Sequence, residues 1–194
     1  MPRSSTMNSM QEKKRGGIED FVKFALIALL IVVPIRWFVA QPFIVKGSSM
    51  EPAFEDGDYL IVDQLSYHLN DPKRFDVVIM RYPKDPTVFF IKRVIGLPGE
   101  TVELVGTRIL VERGDGLGQI SLEQPFVADG HSSEEYGIYT LGPDEYFVLG
   151  DNRIVSSDSR SWGSLPREDV VGRAILRLLP PTNFEVLPGA VITN

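Results

Sequence analysis

The chain has 194 residues, two histidines and no cysteine; 43% of residues are apolar and 24% charged. This length accommodates one domain, or one domain with a small subdomain, and the lack of cysteine excludes disulfides, thiolate metal sites and a cysteine nucleophile. A net charge of −6 argues against a nucleic-acid partner, because phosphate binding needs a basic face.

Residues 1–17 are polar, include Lys13, Lys14 and Arg15, and read as a flexible cytoplasmic tail. "IEDFVKFALIALLIVVPIRWFVA" (18–40) follows, with no charge between Phe24 and Val33. It reads as a single transmembrane anchor if Lys23 and Arg36 snorkel to the two interfaces and Trp37 joins the aromatic belt. A cleaved signal peptide is the competing reading. It is disfavoured because Ala40 is preceded two residues earlier by Phe38, not by a small residue. Basic residues before the segment, and Glu51, Glu55, Asp56 and Asp58 after it, place the N-terminus in the cytoplasm and the rest of the chain outside.

Beyond residue 41 the apolar pattern shortens to a period near two. "YLIVDQL" (59–65), "FDVVIMRY" (75–82), "VFFIKRVIG" (88–96), "ETVELVG" (100–106), "TRILVER" (107–113), "EYFVLGD" (145–151) and "VVGRAILRL" (170–178) are predicted strands. Gly, Pro and Asp separate them, and no long helical pattern follows the anchor, so the body is expected to be mainly β. Residues 114–140 are rich in Gly, Ser and Glu and read as an insertion between strands.

Three stretches could carry chemistry. "VKGSSMEP" (45–52) offers Ser48 and Ser49. In "FFIKRVIGLPGE" (89–100), alternation puts Lys92 on one face with Phe90 and Val94, and Arg93 on the other. Apolar neighbours would depress the lysine pKa and allow a neutral amine to act as a base. An edge-strand lysine reaching water is the alternative. In "LGDNRIVSSDSRSWG" (149–163), short Ser and Asp side chains beside Arg suit a fixed hydrogen-bond network, although a surface turn is also possible. A serine nucleophile needs a base, and with no cysteine and few histidines a lysine is available.

In this combination the chain resembles the bacterial type I signal peptidases, membrane-anchored serine endopeptidases that use a Ser-Lys dyad. "GSSMEP" (47–52) is similar to their Ser-Met-x-Pro box, "RFDVVIM" (74–80) to an Arg-Gly-Asp-Val-Val strand, "FIKRVIGLPGE" (90–100) to the lysine box, and "GDNRIVSSDSR" (150–160) to the last box. The resemblance implies Ser49 as nucleophile and Lys92 as general base. It also implies Ser156 as the hydroxyl orienting the lysine, Asp158 and Arg160 as a supporting pair, and Arg93 as a structural arginine. Gly47, Ala53, Phe75 and the pair Ile154-Val155 depart from the usual boxes; at Phe75 the family usually carries Gly.

The implied architecture is an N-terminal transmembrane helix and a β-rich catalytic core (41–106 and 144–180). A small β insertion (107–143) and a C-terminal tail (181–194) complete it. Substrate is expected to lie extended beside "QPFIV" (41–45), with Phe43, Val45, Met50, Phe54, Phe90 and Ile91 forming shallow apolar pockets. Trp162 is expected to be exposed beside the site and to dip into the membrane interface. The resemblance implies no metal and no cofactor. The implied partners are signal-peptide-bearing preproteins, the lipid bilayer and the export machinery, for a monomer in the plasma or inner membrane. Two other readings are a self-cleaving Ser-Lys repressor-type protease, which the anchor argues against, and a non-catalytic membrane-tethered β module.

Overall fold

The computed structural model describes residues 5–34, 40–114 and 118–191. The chain divides into two units, Met1–Val39 and Ala40–Asn194.

The first unit is one helix, α1 (Ser5–Pro34). It begins well inside the segment expected to be a tail, where Met, Gln, Glu and Lys are all good helix formers. Among the described residues no helix is long and apolar enough to cross a membrane. Glu19, Asp20 and Lys23 interrupt the apolar stretch. The charge-free run Phe24–Val33 rises only ~15 Å, against a hydrocarbon core of ~30 Å. Arg36 and Trp37 lie outside the described residues. Most of the apolar side chains that are described, among them Phe21, Phe24, Leu26, Ile27, Leu29 and Leu30, are exposed.

The second unit is mainly β, and all seven predicted strands are present. The larger sheet contains β1 (Ala40–Ile44), β2 (Tyr59–Asp63), β3 (Val77–Tyr82) and β4 (Asp85–Gly96). The smaller one holds β5 (Thr101–Gly106), β6 (Arg108–Glu112), β7 (Gln119–Ser121) and β8 (Glu135–Thr140). The chain then returns to the larger sheet with β9 (Glu145–Leu149), β10 (Leu165–Pro166), β11 (Val170–Leu179) and β12 (Glu185–Val186). The larger sheet runs β1-β2-β11-β3-β4-β9-β10, with β12 paired to β11, and the smaller runs β7-β6-β5-β8. The small sheet thus starts with β5, ahead of the expected start of the insertion at residue 107. β5 pairs with β6 across a tight turn and with β8 on its other side, so it has no partner in the larger sheet.

Strand pattern and burial agree. In β2, Leu60 and Val62 point inward and their neighbours do not. β3 lies between β11 and β4 and is buried on both faces: Val77 and Ile79 join one core cluster, Val78 and Met80 another. A third cluster joins Ile95, Phe147 and Leu149 of the larger sheet to Val102, Leu104, Ile109 and Val111 of the smaller, and so binds the two sheets into one body. The larger sheet curls enough for Phe43 of β1 to meet Phe89 of β4 edge to face at 5.6 Å. Among the described residues β1 pairs on one side only, leaving an open strand edge next to the loop that holds Ser49.

Candidate functional site

The loop between β1 and β2 is held at several points along its length. Val45 N–H donates to Asp58 O (2.9 Å), Gly57 N–H to Val45 O (3.0 Å) and Phe54 N–H to Met50 O (2.9 Å). Gly47 N–H donates to the Asp56 carboxylate at 2.7 Å. Met50 and Phe54 are wholly buried and anchor the loop in the core beneath. From the other side Asn152 N–H donates to Ser49 O (3.1 Å), tying the loop to the turn after β9. The Ser49 N–H makes no hydrogen bond among the described residues.

β4 carries Lys92 opposite Val78 and Arg93 opposite Val77. Lys92 is 3% exposed, and its Nζ lies 2.8 Å from Ser49 Oγ and 2.8 Å from Ile91 O. The ring of Phe90 lies 5.2 Å from the amine. Burial pushes the amine down from 10.5 to about 8. Asp158 and Asp151 pull the other way, and Arg160 adds to the depression. The predicted facial split holds: Phe90 and Val94 pack in one cluster, while Ile91 packs in the other.

Arg93, fully buried, forms a two-pronged pair with Asp151 (Nε–Oδ1 2.8 Å, Nη2–Oδ2 2.6 Å). Its Nη1 donates to Phe75 O at 2.9 Å and Gly189 O at 2.6 Å, and its guanidinium stacks 4.2 Å from the Phe126 ring centre. Burial pushes the Asp151 carboxyl up, against the pull of Arg93. Phe75 has φ +70°, a left-handed conformation that favours glycine, and its ring lies 5.5 Å from that of Phe126.

Asp158 is buried and acts as the hub of the last box. It accepts from Gly150 N–H (3.1 Å), from Arg160 Nε (2.8 Å) and from Arg160 Nη2 (2.9 Å). Arg160 also reaches Ser133 Oγ (2.9 Å) and Glu135 (3.1 Å), so the smaller sheet is fastened to the same hub. Gly150 has no room for a side chain: a Cβ there would overlap Ser156 Oγ and Ser49 O. Ser156 does not bond the lysine; its Oγ is buried and has no hydrogen-bond partner among the described residues. Lys92 spends its contacts on Ser49 and Ile91 instead.

An open pocket of ≈ 130 Å³ adjoins the serine and the amine. Phe43, Val45, Phe90 and Ile91 line it as expected, with Leu60, Ile79 and Phe89 added by the curl of the sheet. Met50 and Phe54 do not line it. They are core residues, because their loop turns them under the sheet, and a loop has no alternation from which to read a direction. Trp162 is not an exposed residue either: it sits partly buried against Tyr82, ring centres 6.1 Å apart. Asp151 is the main residue that sequence reasoning left without a role. Its partner lies 58 positions away, and only the place of both in buried-looking runs hinted at the pairing.

A β body that sets a hydroxyl against a buried amine beside an open strand edge is suited to peptide-bond hydrolysis, and comparison with known proteins gives the same class. The family described as signal peptidase, peptidase S26, matches residues 18–179. The chain belongs to this family of serine endopeptidases. A signal peptidase I of Leptolyngbya laminosa is 36% identical over 177 residues, 88% of this chain and 84% of that protein. A signal peptidase I P of Bacillus subtilis subsp. natto is 34% identical over 180 residues, 90% of this chain and 96% of that protein. A solved signal peptidase I structure from Enterococcus faecalis V583 is 29% identical and covers 54% of this chain and 97% of its own, at a TM-score of 0.45.

Proposed function

We propose that this chain cleaves signal peptides from exported preproteins, with Ser49 as nucleophile and neutral Lys92 as general base. The observation that carries the reading is the 2.8 Å contact between Lys92 Nζ and Ser49 Oγ at the wall of the apolar pocket. The lysine can serve as a base because burial has already removed most of its preference for the charged form.

Substrate pairs in extended form with the open edge of β1, and small side chains near the cut enter the pocket lined by Phe43, Val45, Phe90 and Ile91. Lys92 takes the Ser49 proton as Oγ attacks the scissile carbonyl carbon. The unpaired Ser49 N–H is the available donor for the oxyanion. The ammonium then protonates the leaving amine, the C–N bond breaks and an ester to Ser49 remains. Neutral Lys92 next takes a proton from water, whose oxygen attacks the ester. A carboxylic acid leaves, and the Ser49 hydroxyl regains its proton from the ammonium. Asp158, Arg160 and the Arg93–Asp151 pair hold the two loops and β4 around this dyad.

Attachment to the membrane through residues 18–40, N-terminus in the cytoplasm, belongs to the same reading. It is supported by the apolar side chains of α1 that stand exposed. The test is processing of a purified preprotein by Ser49→Ala, Lys92→Ala and Ser48→Ala. The first two are expected to lose roughly 10³-fold or more in kcat and the third little. Normal processing by Ser49→Ala or Lys92→Ala would overturn the dyad.

A further inference from the structure

Residues beyond Leu179 lie past the family match, which ends at 179, yet they fold back onto the site. We propose that residues 180–191 form a strap that holds the serine loop and the lysine strand in place, with Arg177 and Gly189 as positioning residues. The proposal deepens the Ser49–Lys92 reading and rests on it for the catalytic consequence.

The strap is fixed at three points. After the turn Pro181–Asn183, β12 pairs with β11, Arg177 opposite Glu185 and Leu176 opposite Val186. The Arg177 guanidinium there grips both sides. Toward the strap it donates to Asn183 O (2.9 Å) and pairs with Glu185; toward the serine loop it donates to Ala53 O (2.9 Å) and Asp58 (3.0 Å). It also lies 5.7 Å from the ring centre of Phe54. Next, Leu187 N–H donates to Ile175 O at 2.8 Å, and Leu187 has a left-handed φ of +52° that turns the chain inward.

Last, Gly189 O accepts a hydrogen bond from Arg93 Nη1 at 2.6 Å. Gly189 has φ +72°, and a Cβ on it would come within 2.9 Å of the Phe54 ring and 3.2 Å of Val77. One glycine therefore touches the floor of the serine loop, strand β3 and the arginine next to Lys92 in sequence. Gly189, Ala190 and Val191 also wall a pocket of ≈ 390 Å³ that reaches Arg93, Ala53 and Phe126. If the strap lifts, one Arg93 donor loses its acceptor.

The effect would reach Lys92 through charge. The charged groups acting on its amine are Asp158 and Asp151, which favour the cation, and Arg160, which disfavours it. Arg93 neutralises Asp151. A loosened Arg93 leaves Asp151 less compensated, which favours the protonated amine.

The experiment compares full-length wild type with Gly189→Ala and Glu185→Gln. Lys92 titration is followed by NMR of isotope-labelled lysine, beside kcat and KM on a preprotein. In Gly189→Ala the Lys92 midpoint is expected to rise by about 1, lowering kcat at pH 7 about tenfold, because the neutral fraction falls by that factor. KM should stay within about twofold, and kcat should recover at higher pH, which a merely unfolding variant would not do. Glu185→Gln, on a half-buried carboxylate paired with Arg177, should shift the midpoint the same way by less; it decides the matter if Gly189→Ala does not fold. An unchanged Lys92 midpoint in the folded variants overturns the strap. A raised midpoint in enzymes whose Ser49→Ala and Lys92→Ala forms still process substrate would keep the strap and discard the dyad.

Discussion

Lys92→Met replaces the buried amine by a neutral side chain of similar length, and its effect on stability should depend on pH in a definite direction. In the folded chain the amine titrates at about 8; in the unfolded chain it returns to its ordinary 10.5. Between those values the unfolded state binds more protons, so wild-type stability gains as pH rises from about 8 to 10.5. Below about 8 both states are protonated and the full penalty of burying the cation is present. The difference of about 2.5 in pKa, at about 1.4 kcal/mol each, makes that penalty roughly 3 kcal/mol. Lys92→Met carries no such penalty. Its advantage over wild type should therefore be largest at neutral pH and shrink by about 3 kcal/mol as pH approaches 10.5. Paired urea denaturation curves in detergent, at pH 7, 9 and 10.5, measure it. A difference that stays constant over that range would mean that the amine is solvated in the folded state, and the base assignment would lose its physical footing.

The same depression predicts the pH dependence of activity: kcat/KM should rise with pH through a midpoint near 8, as the amine loses its proton. A flat profile over that range would sink the lysine-base reading. Asp151→Leu leaves Arg93 as a buried cation without its partner and should cost about 3–5 kcal/mol in a denaturation experiment; a cost below about 1 would contradict the burial. Phe75→Gly removes a left-handed non-glycine but also the ring packed on Phe126, for a net loss of about 1–2 kcal/mol with the chemistry intact. Phe90→Ala opens the pocket wall and should raise cleavage of substrates with larger side chains near the cut, read as a ratio of kcat/KM values against an alanine substrate.

The strands were legible because one-sided burial writes a period of two into the residues, as in Leu60 and Val62 or in Val102 and Leu104. The same alternation put Lys92 and Arg93 on opposite faces. Sheet membership was not legible. β5 alternates as well as any core strand, and only its pairing with β6 and β8 assigns it to the smaller sheet. β8 exposes Tyr136 and Ile138, apolar residues on the outward positions, which blurs its pattern. Loop residues carry no period, so Met50 and Phe54 were expected at the pocket wall and lie in the core. The strap escaped notice because its work is done by backbone carbonyls at Asn183 and Gly189, which no side-chain pattern records.

Gly150 sets a limit on how this protein can vary. Where a side chain would begin, the hydroxyl of Ser156 and the carbonyl of Ser49 already stand. A single replacement there must wedge apart the two loops that meet at the dyad, while leaving every strand of the sheets free to form. Such a variant would keep its sheets, lose some stability to the overlap and lose the dyad geometry. Descendants of this sequence could alter position 150 only after both neighbouring loops had changed first, a sequence of steps in which the earlier ones bring no gain of their own.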